Sequence, residues 1–167
     1  MTTDFEIRDA GPRDLPAILE IYNEVIATTT AVYCEDPVTL ADREQWYAGR
    51  IAQNYPVVVA CRNGECIGFG SFGDFRAWPC YRHTVEHSVH VRADARGRGI
   101  GRALVETLIA RAEAMKKHVL IAGIDAQNEA SLALHSRLGF VEVAHFYEVG
   151  RKFDRWLDLV FMQRTIT

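Results

Sequence analysis

Two stretches of the chain carry side chains whose types and spacing could do chemistry. The first is Thr84-Val85-Glu86-His87-Ser88-Val89-His90-Val91, a β-favouring run in which one carboxylate, Glu86, sits among apolar neighbours. Partial burial there would raise its pKa and make it a proton acceptor near neutral pH. A solvated strand face, or an ion pair with Arg82, is the plainer alternative. The second stretch is Arg96-Gly97-Arg98-Gly99-Ile100-Gly101-Arg102, which leaves that run and enters a helical pattern. The N–H groups of a helix's first turn have no internal partner. The helix macrodipole adds partial positive charge there, and glycine removes the Cβ atoms that would hold an anion away. With arginines on either side, the junction reads as a site for a phosphate-like anion. A surface turn with solvated arginines fits the same residues and stays open on the motif alone.

Two familiar phosphate-binding signatures do not fit. A P-loop ends in Lys-Ser/Thr, which is missing here. A dinucleotide fingerprint needs G-x-G-x-x-G, whereas Gly97, Gly99 and Gly101 place the third glycine one residue early. Further along, Asn128, Ser131 and His135 fall at i, i+3 and i+7, one stripe of a helix. His135 is there either as a chemical group or as a satisfied structural histidine.

These residues need elements to hold them. Phe5 to Arg8 reads as a strand. Pro12 and Asp14 open a helix with Asp14 as N-cap and an apolar stripe of Leu15, Ile18, Leu19, Tyr22, Val25 and Ile26. Thr39 caps a second helix running to Gln53 with Trp46 on its apolar face. Val57 to Ala60 and Cys66 to Phe72 form a hairpin about Asn63-Gly64. Gly73 to Cys80 reads as irregular, and Thr84 to Val91 as a strand. Its Val85, His87, Val89 and Val91 face one way, and Glu86, Ser88 and His90 the other. A helix from Gly101 to Lys117 follows, then a strand Val119 to Ile124. A helix Asn128 to Leu138 closes on Gly139, and strands Val141 to Val149 and Trp156 to Gln163 end the chain. The order βααβββαβαββ predicts an α/β (α+β) fold whose mixed, mostly antiparallel central sheet is flanked by helices.

The chain has 167 residues, 49% hydrophobic and 25% charged, with a net charge of −3. That describes one globular domain over residues 1–167 and no nucleic-acid footprint. The basic clusters at Arg96, Arg98 and Arg102 and at Arg151, Lys152 and Arg155 suit a small anionic ligand. The opening MTTDFEIRDA lacks the basic and apolar regions of a secretory leader. No run is long enough to span a membrane. Cys34, Cys61, Cys66 and Cys80 form no CxxC pair, and no histidine pattern completes a zinc site, so no metal is expected. They read as reduced thiols of a cytoplasmic protein.

The glycine-rich junction after a strand ending V-x-V resembles the acetyl-coenzyme A loop of the GCN5-related N-acetyltransferases. Asn128-x-x-Ser131 with Leu138-Gly139-Phe140 is similar to that family's second cofactor segment, and the element order matches over nearly the whole chain. The resemblance implies that the amides of Gly97, Arg98, Gly99, Ile100, Gly101 and Arg102 hold a pyrophosphate. It also implies that Val89, His90 and Val91 pair with the pantetheine arm, admitted by a splayed gap beside Val119 to Ile124. Thr84-Val85-Glu86-His87-Ser88-Val89 more narrowly resembles the phosphinothricin and methionine sulfoximine acetyltransferases. So do Ile21-Tyr22-Asn23, Thr28-Thr29-Thr30, Leu134-His135 and Gly150-Arg151-Lys152-Phe153-x-Arg155-Trp156-x-Asp158. From this resemblance come Glu86 as base, His135 as acid or cofactor-positioning group, and a substrate site of Arg76, Ala77, Trp78, Glu86, His87 and Ser88. Arg76 would pair with a substrate carboxylate, and the residues Arg151 to Trp156 would cover the site or join a homodimer contact. The expected acceptor is the α-amine of a small amino acid or analogue. Another small amine, a peptide N-terminus, or a non-catalytic acetyl-coenzyme A sensor are the alternatives.

Overall fold

The computed structural model describes residues 4–166; Met1 to Thr3 and Thr167 lie outside the described residues, and so do the parts of the leader and domain expectations that rest on them. Its elements run β1 (Glu6–Asp9), α1 (Leu15–Thr28), α2 (Leu40–Ala52), β2 (Val57–Arg62), β3 (Glu65–Asp74), β4 (Thr84–Val91), α3 (Ile100–Ala114), β5 (Val119–Asp125), α4 (Glu129–Arg137), β6 (Val141–Lys152) and β7 (Arg155–Thr165). This is the order read from the sequence. The sheet has seven strands in the order β1-β2-β3-β4-β5-β7-β6. Every neighbouring pair is antiparallel except β4 with β5, which is parallel.

Two cores flank the sheet. Phe72, Val85, Leu104, Leu108, Leu120 and Phe140 pack beneath α3 and α4. Leu15, Ile18, Ile21, Val57, Val59 and Phe69 pack beneath α1 and α2. Strand β4 is shared between them by its pleat: Val85 and Val89 join the first, and the His90 ring lies against Phe69 and Tyr22 on the second face. No helix among the described residues is long and apolar enough to cross a membrane. The four cysteines are free thiols.

Local chemistry accounts for most boundaries. Thr39 caps α2 by accepting from Asp42 N, and the Asp42 carboxylate accepts in return from Thr39 N at 2.7 Å. Asn63 and Gly64 both take positive φ, 52° and 81°, as a tight hairpin between twisted strands requires. Asp14 departs from its expected role. A 3-10 turn at Pro12–Asp14 precedes α1, and the Asp14 side chain makes no cap bond to that helix. Its carboxylate turns back to accept from Gly11 N at 2.8 Å and from both terminal nitrogens of Arg8. The partly buried Arg8 outbids the helix amides, and the pair holds the Asp14 carboxyl below the usual range. The apolar stripe of α1 also includes Ile21, 2% exposed, which the periodicity omitted. The irregular segment begins two residues later than expected, at Phe75, because β3 runs through Asp74 to stay paired with Val85.

Candidate active site

Strand β4 has two different edges. Toward β3 it is paired from Val85 to Val91. Toward β5 it is paired only from Thr84 to His87, opposite Val119 to Ala122. Past His87 the strands separate, leaving a gap of ≈ 100 Å³ walled by Ser88 and Val89 on one side and Gly123 and Asp125 on the other. Asn128, Ser131 and His135 line it as well, and the same three line a larger cleft of ≈ 600 Å³. That cleft runs along Val89, His90 and Val91 to the glycine junction. The splayed gap expected from the sequence is therefore present, and it joins the junction to the middle of the sheet.

At the junction, Gly97 and Gly99 adopt φ of 75° and 82°, a region closed to most side chains. A Cβ at either would meet nothing within 4 Å, so the backbone there is bare on its open side. Arg96 Nε donates to Val91 O at 3.0 Å and ties the loop to the end of β4. Ala103 is the first residue to donate back along α3, to Gly99 O at 3.0 Å. The amides of Ile100, Gly101 and Arg102 precede it and have no intrahelical acceptor. Arg98 and Arg102 are exposed beside them. Arg102 Nε bonds Glu106 at 2.9 Å, but an exposed i,i+4 pair is worth only about 0.3–0.5 kcal/mol and does not commit the guanidinium. The arrangement fits a pyrophosphate at the helix end with a slender arm along the unpaired edge of β4. Asn128 Oδ1 accepts from Ser131 N at 3.1 Å and caps α4, which fixes both residues in the cleft wall.

Glu86 is half-buried and makes no hydrogen bond or ion pair with any described residue. The Arg82 guanidinium points instead to Pro79 O, 3.3 Å away. Burial pushes the Glu86 carboxyl above its usual pKa, and the positive charge of Arg76 partly opposes the shift. Glu86 is not a wall residue of the gap, yet it reaches one: a Cβ on Gly123 would lie 3.1 Å from Glu86 Oε1. The carboxylate thus lies over the bare Cα of a glycine that faces the gap.

His87 and His135 meet behind it with Nε2 atoms 3.0 Å apart. His135 Nδ1 is 2.8 Å from Ser131 O and therefore carries the proton, so its Nε2 accepts and His87 Nε2–H donates. His87 Nδ1 is buried and has no hydrogen-bond partner among the described residues. Burial pushes both rings' pKa values down, and His135 adds to the shift at His87, so both are neutral at pH 7. His135 is bonded on both nitrogens and also faces the cleft.

Of the residues singled out in the sequence, the structure brings Val89, His90, Val91, Gly97, Gly99, Ile100, Gly101, Arg102, Asn128, Ser131 and His135 onto one cleft wall. His87 and Ser88 line the gap. Arg98 lies on the exposed loop. Arg76, Ala77 and Trp78 are exposed and off these walls; the Arg76 guanidinium covers the Phe75 ring at 5.0 Å, and Trp78 is 73% exposed. Val25, Thr29 and Ala31 also line the cleft and were not read as site residues. Only the Thr28-Thr29-Thr30 run hinted at them, since a helix-ending turn carries no signal for what it will face. Gly123 was missed because a strand glycine is informative only once its neighbour is known.

Known proteins resemble the chain in sequence and in fold. The family model described as Acetyltransferase (GNAT) family matches residues 18–140. An L-methionine sulfoximine/L-methionine sulfone acetyltransferase from Pseudomonas paraeruginosa is 51% identical over 158 residues, covering 94% of this chain and 92% of that protein. The crystal structure of a phosphinothricin acetyltransferase from Sinorhizobium meliloti in complex with AcCoA superposes with a TM-score of 0.95 at 37% identity, covering 98% and 89% of the two chains. A structure described as a ribosomal-protein-alanine N-acetyltransferase from Brucella melitensis gives a TM-score of 0.95 at 48% identity, covering 96% and 99%. With its single parallel strand pair splayed past His87 above a glycine-bared helix end, the chain belongs to the GNAT family of acetyltransferases.

Proposed function

We propose that the protein is an acetyl-coenzyme A-dependent N-acetyltransferase that acetylates the α-amine of a small amino acid or an analogue of the phosphinothricin, methionine sulfoximine or methionine sulfone type. The observation that carries the reading is the continuous path from the free amides at Ile100 to Arg102, along the unpaired edge of β4, to the gap where Gly123 meets Glu86. The names of the sulfoximine and phosphinothricin relatives support the acceptor.

Acetyl-coenzyme A, when bound, supplies the acetyl group as a thioester. Amides of residues 97–102 bind its pyrophosphate, and Val89, His90 and Val91 offer backbone groups to its arm. Glu86 takes a proton from the acceptor's ammonium, directly or through water, and so frees the nitrogen lone pair for attack on the thioester carbon. A carboxyl with a raised pKa suits that task near neutral pH. His135, oriented by Ser131 and His87, positions the sulfur end; its one ring proton is committed to Ser131 O, so the departing thiolate takes its proton from the Glu86 carboxyl or from water. Arg76, exposed, pairs with the acceptor's carboxylate, its charge already felt at Glu86. Free thiols fit a cytoplasmic protein. Val141, Val143, Phe146 and Tyr147 expose an apolar surface on the edge strand β6 that suits a homodimer contact.

A panel of amino acids, their sulfone, sulfoximine and phosphinate analogues, polyamines and an alanine-ended peptide, read by free-thiol release from acetyl-coenzyme A, tests the proposal. Turnover is expected with the small α-amines. Turnover confined to the peptide would support a second reading, favoured by the ribosomal-protein-alanine neighbour. Tight cofactor binding with no turnover on any amine would make the protein a sensor.

A further inference from the structure

The hairpin motif Gly150-Arg151-Lys152-Phe153-x-Arg155-Trp156-x-Asp158 contributes no wall to the cleft, yet it buries a lysine. Lys152 is 1% exposed. Its Nζ donates to Ile26 O at 2.6 Å and Val32 O at 2.8 Å, and lies 4.9 Å from the Phe153 ring centre. No carboxylate among the described residues is within ion-pair distance of it. A buried ammonium without a counter-ion is costly, and burial lowers its pKa. What compensates it is local: Ile26 O belongs to the last turn of α1, the negative end of that helix.

Three more contacts reach the same segment. The Tyr33 ring lies on Gly150, where a Cβ would come within 2.7 Å of Tyr33 Cε2. Tyr33 OH donates to Asp158 O at 2.7 Å, and Phe153 N donates to the Glu35 carboxylate at 2.8 Å. All four fasten the turn between α1 and α2. That turn supplies Thr29 and Ala31 to the cleft, and Ala31 also borders the gap that holds His87 and His135.

We propose that Lys152 is a positioning residue: with Gly150 and Tyr33 it fastens Thr29 in the cleft wall and Ala31 at the edge of the gap, and thereby sets the affinity for the acceptor. The kinetic part rests on the acetyl-transfer reading above; the fastening does not. Lys152→Met, Gly150→Ala and Tyr33→Phe cut three separate fasteners, so a folding failure in one leaves two. Amide hydrogen exchange over residues 29–35, measured without any ligand, is expected to quicken in each, most in Lys152→Met. The acceptor KM should rise by about tenfold in Lys152→Met, with kcat little changed. Tyr55→Phe, which loses its bond to Asp74 on the far side of the sheet, serves as a control of lowered thermal midpoint with unchanged KM. Unchanged exchange over 29–35 in Lys152→Met would overturn the fastening. Quickened exchange with unchanged KM would overturn the role in acceptor affinity. A wild-type protein inert toward amino acids would sink the acetyl-transfer reading alone and leave the exchange result to stand.

Discussion

The two halves of β4 share one strand and do opposite work. From Val85 to His87 the backbone is paired on both edges, and what remains to act is side chain: Glu86 over Gly123 on one face, His87 against His135 on the other. From Ser88 to Val91 one edge is unpaired, and what remains to act is backbone. The side chains of Val89, His90 and Val91 pack on the core instead, as the His90 ring does against Phe69 and Tyr22. A strand can bind a ligand through its amides only where a neighbour has left, and it can hold a reactive side chain steadily only where neighbours stay. Parting the strands at His87 puts both conditions within two residues of each other.

That division can be broken by substitution. In the paired half, Glu86→Gln should lower kcat by about 10²–10⁴-fold, the usual contribution of a general base, while calorimetry finds acetyl-coenzyme A binding intact. In the wild type the rate should rise with pH through a pKa above the usual carboxylate range, and this limb should vanish in the variant. Equal loss of cofactor binding would mean that the halves are not separate.

In the open half, His90 tests whether its side chain belongs to the core. Burial, with Arg43 and Arg96 nearby, lowers its pKa from 6.5 to about 4. A depressed folded pKa gives stability that is complete above 6.5 and lost as pH falls toward 4, because only the unfolded chain then takes the proton. His90→Phe should flatten acid unfolding in that window by at most about 3 kcal/mol, read from denaturant midpoints at pH 7 and pH 4.

Gly99→Val places a side chain at φ 82°, which costs about 1–2 kcal/mol, and should weaken acetyl-coenzyme A about tenfold with the acceptor KM little moved. The smallest effect is on stability in the paired half. A raised carboxyl pKa stabilises below the unfolded value and loses that contribution as pH rises through the folded value. Glu86→Gln should therefore unfold slightly later than wild type at pH 8 and no later at pH 4 in thermal melts.

Most of the fold was legible because its signals are local. Thr39 with Asp42, Asn63 with Gly64, and the periodicity of β4 each act within a few residues, and each produced the expected turn, cap or alternation. The glycine-bared helix end at Gly97 to Arg102 was legible for the same reason, since a helix end and its glycines are contiguous. The role expected of Asp14 failed because Arg8, on a different element, offered its carboxylate a better partner than the helix did. The gap end of the cleft was only half legible. Glu86 and His135 stood out by type, but Gly123, Ala31 and Lys152 gain meaning only from contacts across long stretches of chain.

The sequence by itself determined the element order, the glycine-bared helix end and the carboxylate in mid-strand, because each depends on backbone preferences and neighbours a few residues apart. Only the tertiary structure decided where β4 and β5 part, that His87 and His135 share a hydrogen bond, and that a lysine late in the chain holds the turn after α1. Strand separation and buried polar pairing are settled by competition among distant groups for the same partners, and no local spacing records its outcome.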